Sequence, residues 1–222
     1  RVARRADGGP AGGPGRGAVW ILFLERDGTV KAHRKISDTT GGLVAALDDY
    51  DRFGSSLSGL GDLDGDGTPD LAVGAREDDD GGADRGAAFI LFLNTDGSVR
   101  AEQKISATAG GLTGVLDDVD EFGHAVAGIG DLDGDGIGDV AVGAPRDDDG
   151  GTDRGAVHVL FLNADGTVQA EQKLSAAAGP LAAALDDHDW FGSALAGIGD
   201  LDGNATPDLA VGARGDTDGA WN

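Results

Sequence analysis

Three acidic loops with the same internal spacing contain the residues best suited to chemistry in this chain. Each loop spans nine residues and has side-chain oxygens at positions 1, 3, 5 and 9, with small residues between them. Calcium takes about six to eight oxygen ligands, from carboxylates, backbone carbonyls and water. The spacing therefore predicts one Ca²⁺ ion per loop, two or three ions in all. The predicted side-chain ligands are Asp62, Asp64, Asp66 and Asp70 in loop 1, Asp131, Asp133, Asp135 and Asp139 in loop 2, and Asp200, Asp202, Asn204 and Asp208 in loop 3.

The backbone carbonyl at position 7 is a natural additional ligand in each loop. The residues there are Thr68, Ile137 and Thr206. Magnesium suits these loops less well, because it keeps its waters and requires a strict octahedron. Zinc prefers His or Cys, which the loops lack. Loop 3 is predicted to bind most weakly, since Asn204 removes one charge and Ala205 replaces a glycine that adopts a positive φ readily.

An EF-hand is excluded at position 12, where that motif needs a bidentate Glu. Valine stands there in all three loops, at positions 73, 142 and 211. The plainer alternative is that Asp and Gly are simply common in turns. Three copies with the same four oxygen positions favour the metal.

The whole chain is organised by a repeat of 69 residues. Phe53-Gly54 recurs 69 residues later as Phe122-Gly123 and again 69 residues later as Phe191-Gly192, and the loops recur at the same interval. Each repeat contains four short strand-like segments, A to D, and an Asp-Gly between apolar segments is a hairpin signal. Strand C is a continuous apolar run, which predicts burial on both faces.

Four-stranded antiparallel units in tandem predict an all-β fold, a β-propeller with about three blades in this chain. The chain begins with strands C-D and finishes with A-B, so closure alone would give a ring tighter than the usual range of about four to eight blades. A fragment of a longer propeller, favoured by the absence of Met, or head-to-tail self-association through the terminal half-blades fits better. The predicted units are a flexible end at 1–15, a half-blade and linker at 16–52, repeats at 53–121 and 122–190, and a half-blade at 191–222.

The residues resemble the FG-GAP repeats of the integrin alpha-subunit propeller and its bacterial relatives. The resemblance runs from each Phe-Gly through the acidic loop to Asp-Leu-Ala-Val-Gly-Ala at 70–75 and its counterparts, although only Gly143-Ala144-Pro145 keeps the Pro. It implies one repeat per blade, calcium in the A-B hairpin tip, and a role in adhesion or ligand binding. It does not imply an integrin.

The charge of the chain excludes several partners. Forty acidic residues against 17 basic ones give a formal net charge of −23. Nucleic acids and anionic membranes both require a basic face, so neither is an expected partner. The longest apolar runs are too short for a transmembrane helix, so no membrane insertion is expected. Without Cys there is no disulfide framework and no Cys-based zinc site.

A second acidic set lies in the B-C loops and the D-A linkers. The B-C loops contain Asp78 to Asp80 and Asp147 to Asp149, and each linker finishes with acids just before Phe-Gly. Further calcium sites, a patch for a cationic or cation-bridged ligand, and capping against the next blade are all open, as is plain solvated charge. The resemblance implies that an unknown protein or glycan ligand binds this face.

No catalytic residues are expected, since no nucleophile elbow, phosphate loop or His-Glu-x-x-His is present. The function predicted is a calcium-binding module of an exported protein, secreted, at the cell surface or periplasmic, because modest sites fill where calcium is about millimolar. The signal peptide would lie outside this sequence. The alternatives are a non-catalytic propeller scaffold of a larger secreted enzyme, of polysaccharide lyase or phosphodiesterase type, and a halophilic acidic surface without metal.

Overall fold

The chain folds entirely as β-structure in the part that the computed structural model describes, which comprises residues 13–177, 181 and 184–217. Most of the predicted flexible end, residues 1–12, lies outside the described residues. The strands are β1 Val19–Leu24, β2 Val30–Ile36, β3 Ser56–Gly61, β4 Asp70–Ala75, β5 Ala87–Leu93, β6 Val99–Ser106, β7 Ala125–Gly130, β8 Asp139–Ala144, β9 Ala156–Leu162, β10 Val168–Ser175, β11 Phe191–Gly199 and β12 Asp208–Ala213.

These strands form two complete antiparallel sheets and two half sheets. The complete sheets have the orders β3-β4-β5-β6 and β7-β8-β9-β10, here called the first and second full blades. The pair β1-β2 is the C-D half-blade, and β11-β12 is the A-B half-blade. The predicted all-β architecture of four-stranded antiparallel propeller blades is confirmed.

Strand C shows how burial depends on neighbouring blades. In the first full blade every residue of β5 is buried, as its unbroken apolar run predicts. The equivalent strand β1 alternates between buried or half-buried and exposed residues, because among the described residues the first full blade packs on the face that carries Val19 and Ile21. The prediction of burial on both faces therefore holds for β5 and not for β1.

The hydrophobic core lies between blades as well as within them. One cluster joins Val19 and Ile36 of the half-blade to Phe53 and Phe89 of the first full blade. Phe53 and Phe122 are 2% and 0% exposed, and each packs edge-on against an aromatic ring on strand C of its own blade, 5.3 Å and 5.2 Å between centroids. Phe53 and Phe122 therefore lie in the core where neighbouring blades meet.

Neighbouring blades approach so closely that two glycines of strand B are required. A Cβ at Gly74 would lie 1.9 Å from the carbonyl oxygen of Gly123, and a Cβ at Gly143 would lie 2.0 Å from that of Gly192. Short parallel bridges add to each junction, and they join Gly17 to Phe53, Gly86 to Phe122 and Gly155 to Phe191. Every described junction is therefore built from the same backbone contacts.

The hairpin tips and the connecting segments occupy opposite faces. The side chain of Arg100, at the C-D tip, contacts loop 1 at the A-B tip of the same blade, so both tips share one face, here the hairpin-tip face. On the other, here the linker face, the backbone NH of Glu77 in the B-C loop donates to the carbonyl of Asp51 in the D-A linker. Within the described residues, no helix is long and apolar enough to cross a bilayer.

Candidate metal-binding loops and the linker face

Carboxylate oxygens converge in each of the three acidic loops. In every loop three acidic side chains place one oxygen each within 4.8 Å of the other two. The trios are Asp62, Asp64 and Asp66 in loop 1, Asp131, Asp133 and Asp139 in loop 2, and Asp200, Asp202 and Asp208 in loop 3. Hard oxygen donors at this spacing are suited to a hard cation. The complete predicted ligand sets, with Asp70, Asp135, Asn204 and the carbonyls of Thr68, Ile137 and Thr206, stay predictions.

The first Asp of each loop makes the backbone curl around its carboxylate. In loop 2, Asp131 Oδ1 accepts from the NH of Gly134 at 2.7 Å, and Oδ2 accepts from the NH of Gly136 at 2.9 Å. Asp200 accepts the equivalent bonds in loop 3, from Gly203 and Ala205. The curl turns the other side chains of the loop toward one point.

The last Asp of the loop ties it to strand C. Asp70 is 2% exposed, and it accepts hydrogen bonds from the NH of Leu63 in the loop and the NH of Leu93 on β5. Asp139 accepts the same pair, from Leu132 and Leu162. Burial raises the pKa of both carboxyls above their usual values. Position 9 therefore fixes the loop on its blade, in addition to any part in holding a cation.

Loop 3 differs from the others in its backbone strain. Ala205 has a φ of 68°, where Gly67 and Gly136 have 89° and 93°. A residue with a Cβ is strained in this left-handed region. The structure therefore supplies the physical basis for the prediction that loop 3 is the weakest, although the binding order itself is untested.

Loop 1 contains an interaction that the loop pattern does not show. The guanidinium of Arg100 on β6 contacts the carboxylate of Asp64, and its Nη2 lies 3.1 Å from Asp66 Oδ2. The hydrogen bond with Asp64 raises the pKa of Arg100 above its usual value. Since the equivalent residues are Lys31 and Gln169, no repeated signal marks this position. Loop 1 already has a cation among its carboxylates.

Comparison with known proteins agrees with this geometry. Residues 53–91 and 122–160 match the FG-GAP repeat family. Over 200 residues the chain is 31% identical to integrin alpha-3 of Cricetulus griseus, covering 90% of this chain and 17% of that protein. The protein carries FG-GAP repeats. The chain is also 36% identical to Drosophila melanogaster integrin alpha-PS2 over 173 residues, which are 72% of this chain and 11% of that protein. To human integrin alpha-IIb it is 36% identical over 167 residues, which are 73% of this chain and 15% of that protein. The chain thus spans less than a fifth of the length of these relatives.

On the linker face, a lysine of strand D pairs with two acids of the B-C loop in each of the two complete repeats. Lys104 Nζ lies 2.8 Å from Asp78 Oδ2 and 2.7 Å from Asp80 Oδ2. In the next repeat Lys173 lies 2.5 Å and 2.7 Å from Asp147 and Asp149. The hypothesis of plain solvated charge is therefore wrong for the first Asp of each triplet, since Asp78 and Asp147 are 2% exposed. The third ones, Asp80 and Asp149, are partly exposed, and the middle ones, Asp79 and Asp148, are exposed.

The Asp two residues before Phe-Gly is also buried at all three Phe-Gly pairs. Asp51, Asp120 and Asp189 are only 2–3% exposed. Burial raises the pKa of Asp51 and of Asp120 to about 7, against a hydrogen bond from a linker NH. Here too the solvated-charge hypothesis is wrong, because these carboxyls lie inside the blade junction.

Glutamates of strand D anchor the linkers of the FG-GAP repeats across blades. Glu102 accepts from the NH of Val44, and Glu171 accepts from the NH of Gly114 at 2.6 Å. Glu171 also lies 2.5 Å from Nδ1 of the fully buried His158. Although burial opposes it, these hydrogen bonds lower the pKa of Glu171 to about 2. Sequence reasoning missed both glutamates because the half-blade β1-β2 has His33 in their place.

The arginines just before strand C pair with linker acids. The pairs are Arg16 with Asp38 and Asp49, Arg85 with Asp118, and Arg154 with Asp187. The Arg214-Gly215-Asp216 tripeptide forms the same turn as the equivalent segment of its sister repeats, because the NH of Gly215 donates to Asp189 as that of Arg146 donates to Asp120. The tripeptide is therefore structurally equivalent to the start of the B-C loop in the other repeats.

Proposed function

We propose that this chain is a calcium-binding β-propeller module of an exported protein and that it acts in adhesion or in binding a protein or glycan ligand. The observation that carries the proposal is the convergence of three carboxylate oxygens in each of the three loops. Oxygen donors without His or Cys suit calcium and not zinc. No residue is assigned a catalytic role.

The loops contribute by holding negative charges that repel one another. A divalent cation at Asp131, Asp133 and Asp139 would remove this repulsion and fix the hairpin tip between β7 and β8. Because Asp139 also accepts the NH of Leu162, a fixed tip is coupled to strand C. Binding to the folded chain alone stabilises it by mass action, by RT ln(1 + [Ca²⁺]/Kd).

The relatives named above are integrin alpha subunits, which supports a role in binding and an exported location. We place the ligand on the linker face, where Asp79 and Asp148 are exposed at equivalent places of two blades. The carboxylates beside them are already paired with lysine. A cationic group, or a ligand bridged by a cation, therefore has these two exposed side chains as its anchors.

Calcium binding is tested by calorimetric titration of the chain with CaCl₂ and by thermal melting in CaCl₂ and in chelator. Binding of two or three ions and a higher melting temperature in calcium are expected. Asp131→Asn with Asp133→Asn should remove one site and leave loop 1 intact, and Asp62→Ala with Asp64→Ala should do the converse. No heat of binding together with identical melts would refute the metal proposal.

A separate experiment tests the ligand face. The chain is applied to an array of extracellular-matrix proteins and glycans, and bound species are compared for the unaltered chain and for Asp79→Asn with Asp148→Asn. Loss of binding in the double variant supports this face. Undiminished binding would refute its role. Asp96→Asn on the hairpin-tip face is the matched control, because it removes an exposed carboxylate from the opposite side.

A further inference from the structure

On the basis of the proposed function, we infer that calcium binding in loop 1 strengthens calcium binding in loop 2, and that Leu63 carries the coupling between the two loops. Leu63 belongs to loop 1, and its side chain packs against loop 2 of the next blade. Both loops lie in complete blades, the first and second full blades. The contact between them is therefore made entirely by described residues.

The backbone of Leu63 is fixed by the acidic residues of loop 1. Leu63 lies between Asp62 and Asp64, two of the three side chains whose carboxylate oxygens converge in this loop. Its NH also donates to Asp70 Oδ2 at 2.9 Å, and Asp70 is the last acidic residue of the loop. Drawing these carboxylates together around a cation would therefore also fix the position of Leu63.

The side chain of Leu63 leaves its own loop and enters the core between blades. It is 5% exposed, although Asp62 and Gly65 beside it in the loop are exposed. It belongs to the hydrophobic cluster that contains Val140 and Leu162 of the second full blade. Leu63 is therefore a part of loop 1 and also a part of the surface on which the next blade packs.

Loop 2 meets this side chain with residues that adjoin its own predicted metal ligands. An ideal Cβ built on Gly138 would lie 3.8 Å from Leu63 Cδ1 and 3.4 Å from the carbonyl oxygen of Leu60. Ile137 packs against the same hydrophobic cluster as Leu63. The carbonyl of Ile137 is a predicted ligand, and Gly138 directly precedes the ligand Asp139. The position of Leu63 therefore bears on two predicted ligands of loop 2.

The next junction repeats this arrangement. The leucine at the second position of loop 2, Leu132, donates its NH to Asp139 Oδ2 at 2.8 Å. Its side chain packs against the same apolar cluster as Leu209 of β12. Pro207 Cγ of loop 3 lies 3.7 Å from an ideal Cβ built on Gly130, at the end of β7. Loop 2 is thus joined to loop 3 as loop 1 is joined to loop 2.

The coupling is expected to be positive because each loop must be ordered before its oxygens can converge. Ordering loop 1 gives Ile137 and Gly138 a fixed surface, so less disorder remains to be removed when loop 2 is filled. Direct repulsion between two bound cations acts in the opposite sense, and salt screens it over about 8 Å at 0.15 M. Linkage requires the effect to be mutual, so filling loop 2 strengthens loop 1 by the same factor.

Calorimetric titration with CaCl₂ in 0.15 M KCl, with loop 3 disabled by Asp202→Asn, measures the affinity of loop 2. Disabling loop 1 by Asp62→Ala with Asp64→Ala removes its ordering and also two negative charges. In a Leu63→Ala chain the same change acts through the charges alone. The loss of loop 2 affinity should therefore be about fivefold greater when Leu63 is present.

Leu132→Ala is the matched control, because it alters the junction between loops 2 and 3 and should leave the coupling of loop 1 to loop 2 unchanged. Leu63→Ile keeps the side-chain volume and should keep the coupling. Leu63→Val should lose part of it, and this variant serves if Leu63→Ala does not give a β-sheet circular dichroism spectrum.

Two negative results have different meanings. Equal losses of loop 2 affinity with Leu63 and with Leu63→Ala, in chains that bind calcium, would overturn the coupling and leave the proposed function standing. Absence of calcium binding in both loops of the unaltered chain would overturn the calcium-binding proposal, and the coupling with it.

Discussion

Arg100 on β6 reaches back to loop 1 and places its guanidinium against the carboxylate of Asp64. The contact joins the C-D tip to the A-B tip of one blade. It also puts a positive charge within the group of oxygens proposed to hold calcium. Loops 1 and 2 therefore have the same four acids but differ in what surrounds them.

Replacing Arg100 with Gln is expected to strengthen calcium binding in loop 1 by a few-fold, since a competing cation is removed and the exposed ion pair it breaks contributes little. Calorimetric titration of a chain whose loops 2 and 3 are disabled by Asp133→Asn and Asp202→Asn measures it. The reverse change, Gln169→Arg at the equivalent position of the second full blade, should weaken loop 2. Unaltered affinity in both variants would show that Arg100 does not compete.

Ala205→Gly should stabilise loop 3. Its φ of 68° costs an alanine about 1 kcal/mol or more, a cost that glycine avoids. The melting temperature measured in chelator should therefore be higher for this variant than for the unaltered chain. Gly136→Ala in loop 2 is the matched control, because an added Cβ there meets nothing within 4 Å and the effect is purely conformational. It should destabilise the chain by a similar amount, and opposite signs in the two variants are required.

Asp120 should make stability depend on pH between about 4 and 7. Its pKa is about 7 in the folded chain, raised by burial near Asp147 and opposed by Lys173, and about 3.9 when unfolded. The folded state therefore favours the protonated carboxyl, so its stabilisation is complete below pH 4 and is lost as the pH rises through 7.

Asp120→Asn tests this effect, because the amide stays neutral and its oxygen can still accept the NH of Asp117. Between pH 4.5 and 8 in calcium-free buffer, the melting temperature of the Asp120→Asn variant should fall less steeply with rising pH than that of the unaltered chain. Asp118→Asn is the comparison, as this neighbour is exposed and pairs with Arg85 on the surface. Identical slopes for Asp120→Asn and the unaltered chain would contradict the assignment.

Gly143→Ala should destabilise the junction after the second full blade by about 1–3 kcal/mol, the usual cost of overpacking. The added Cβ would lie 2.0 Å from the carbonyl oxygen of Gly192, and backbone must move to admit it. Urea unfolding measures the change. Gly59→Ala serves as the control, since a Cβ there has open space, and an equal loss in the two variants would mean that blade contact is not the cause.

The repeat made most of the fold predictable from sequence. The segment 70–75, singled out by its motif, is strand β4, and the continuous apolar run of strand C is strand β5. These positions follow from local patterns, namely apolar runs bordered by Gly and Asp. The location of the three loops at hairpin tips follows in the same way.

The rest depends on contacts between distant residues. Arg100 lies 36 residues from Asp64, and since its sister positions differ, nothing in the repeat marks it. The burial of Asp51 and Asp120 could have been suspected, because an Asp precedes Phe-Gly by two residues in every repeat. From composition alone, such Asp residues are expected to be solvent-exposed. They are buried because the next blade packs against them.

The identical bridges at Gly17, Gly86 and Gly155 make it easy for such propellers to gain or lose repeats during evolution. Each junction repeats the contacts of the one before it, so duplication or loss of one 69-residue segment creates no new kind of contact. Ring size can therefore change by whole steps, in one genetic event, without redesign of any surface.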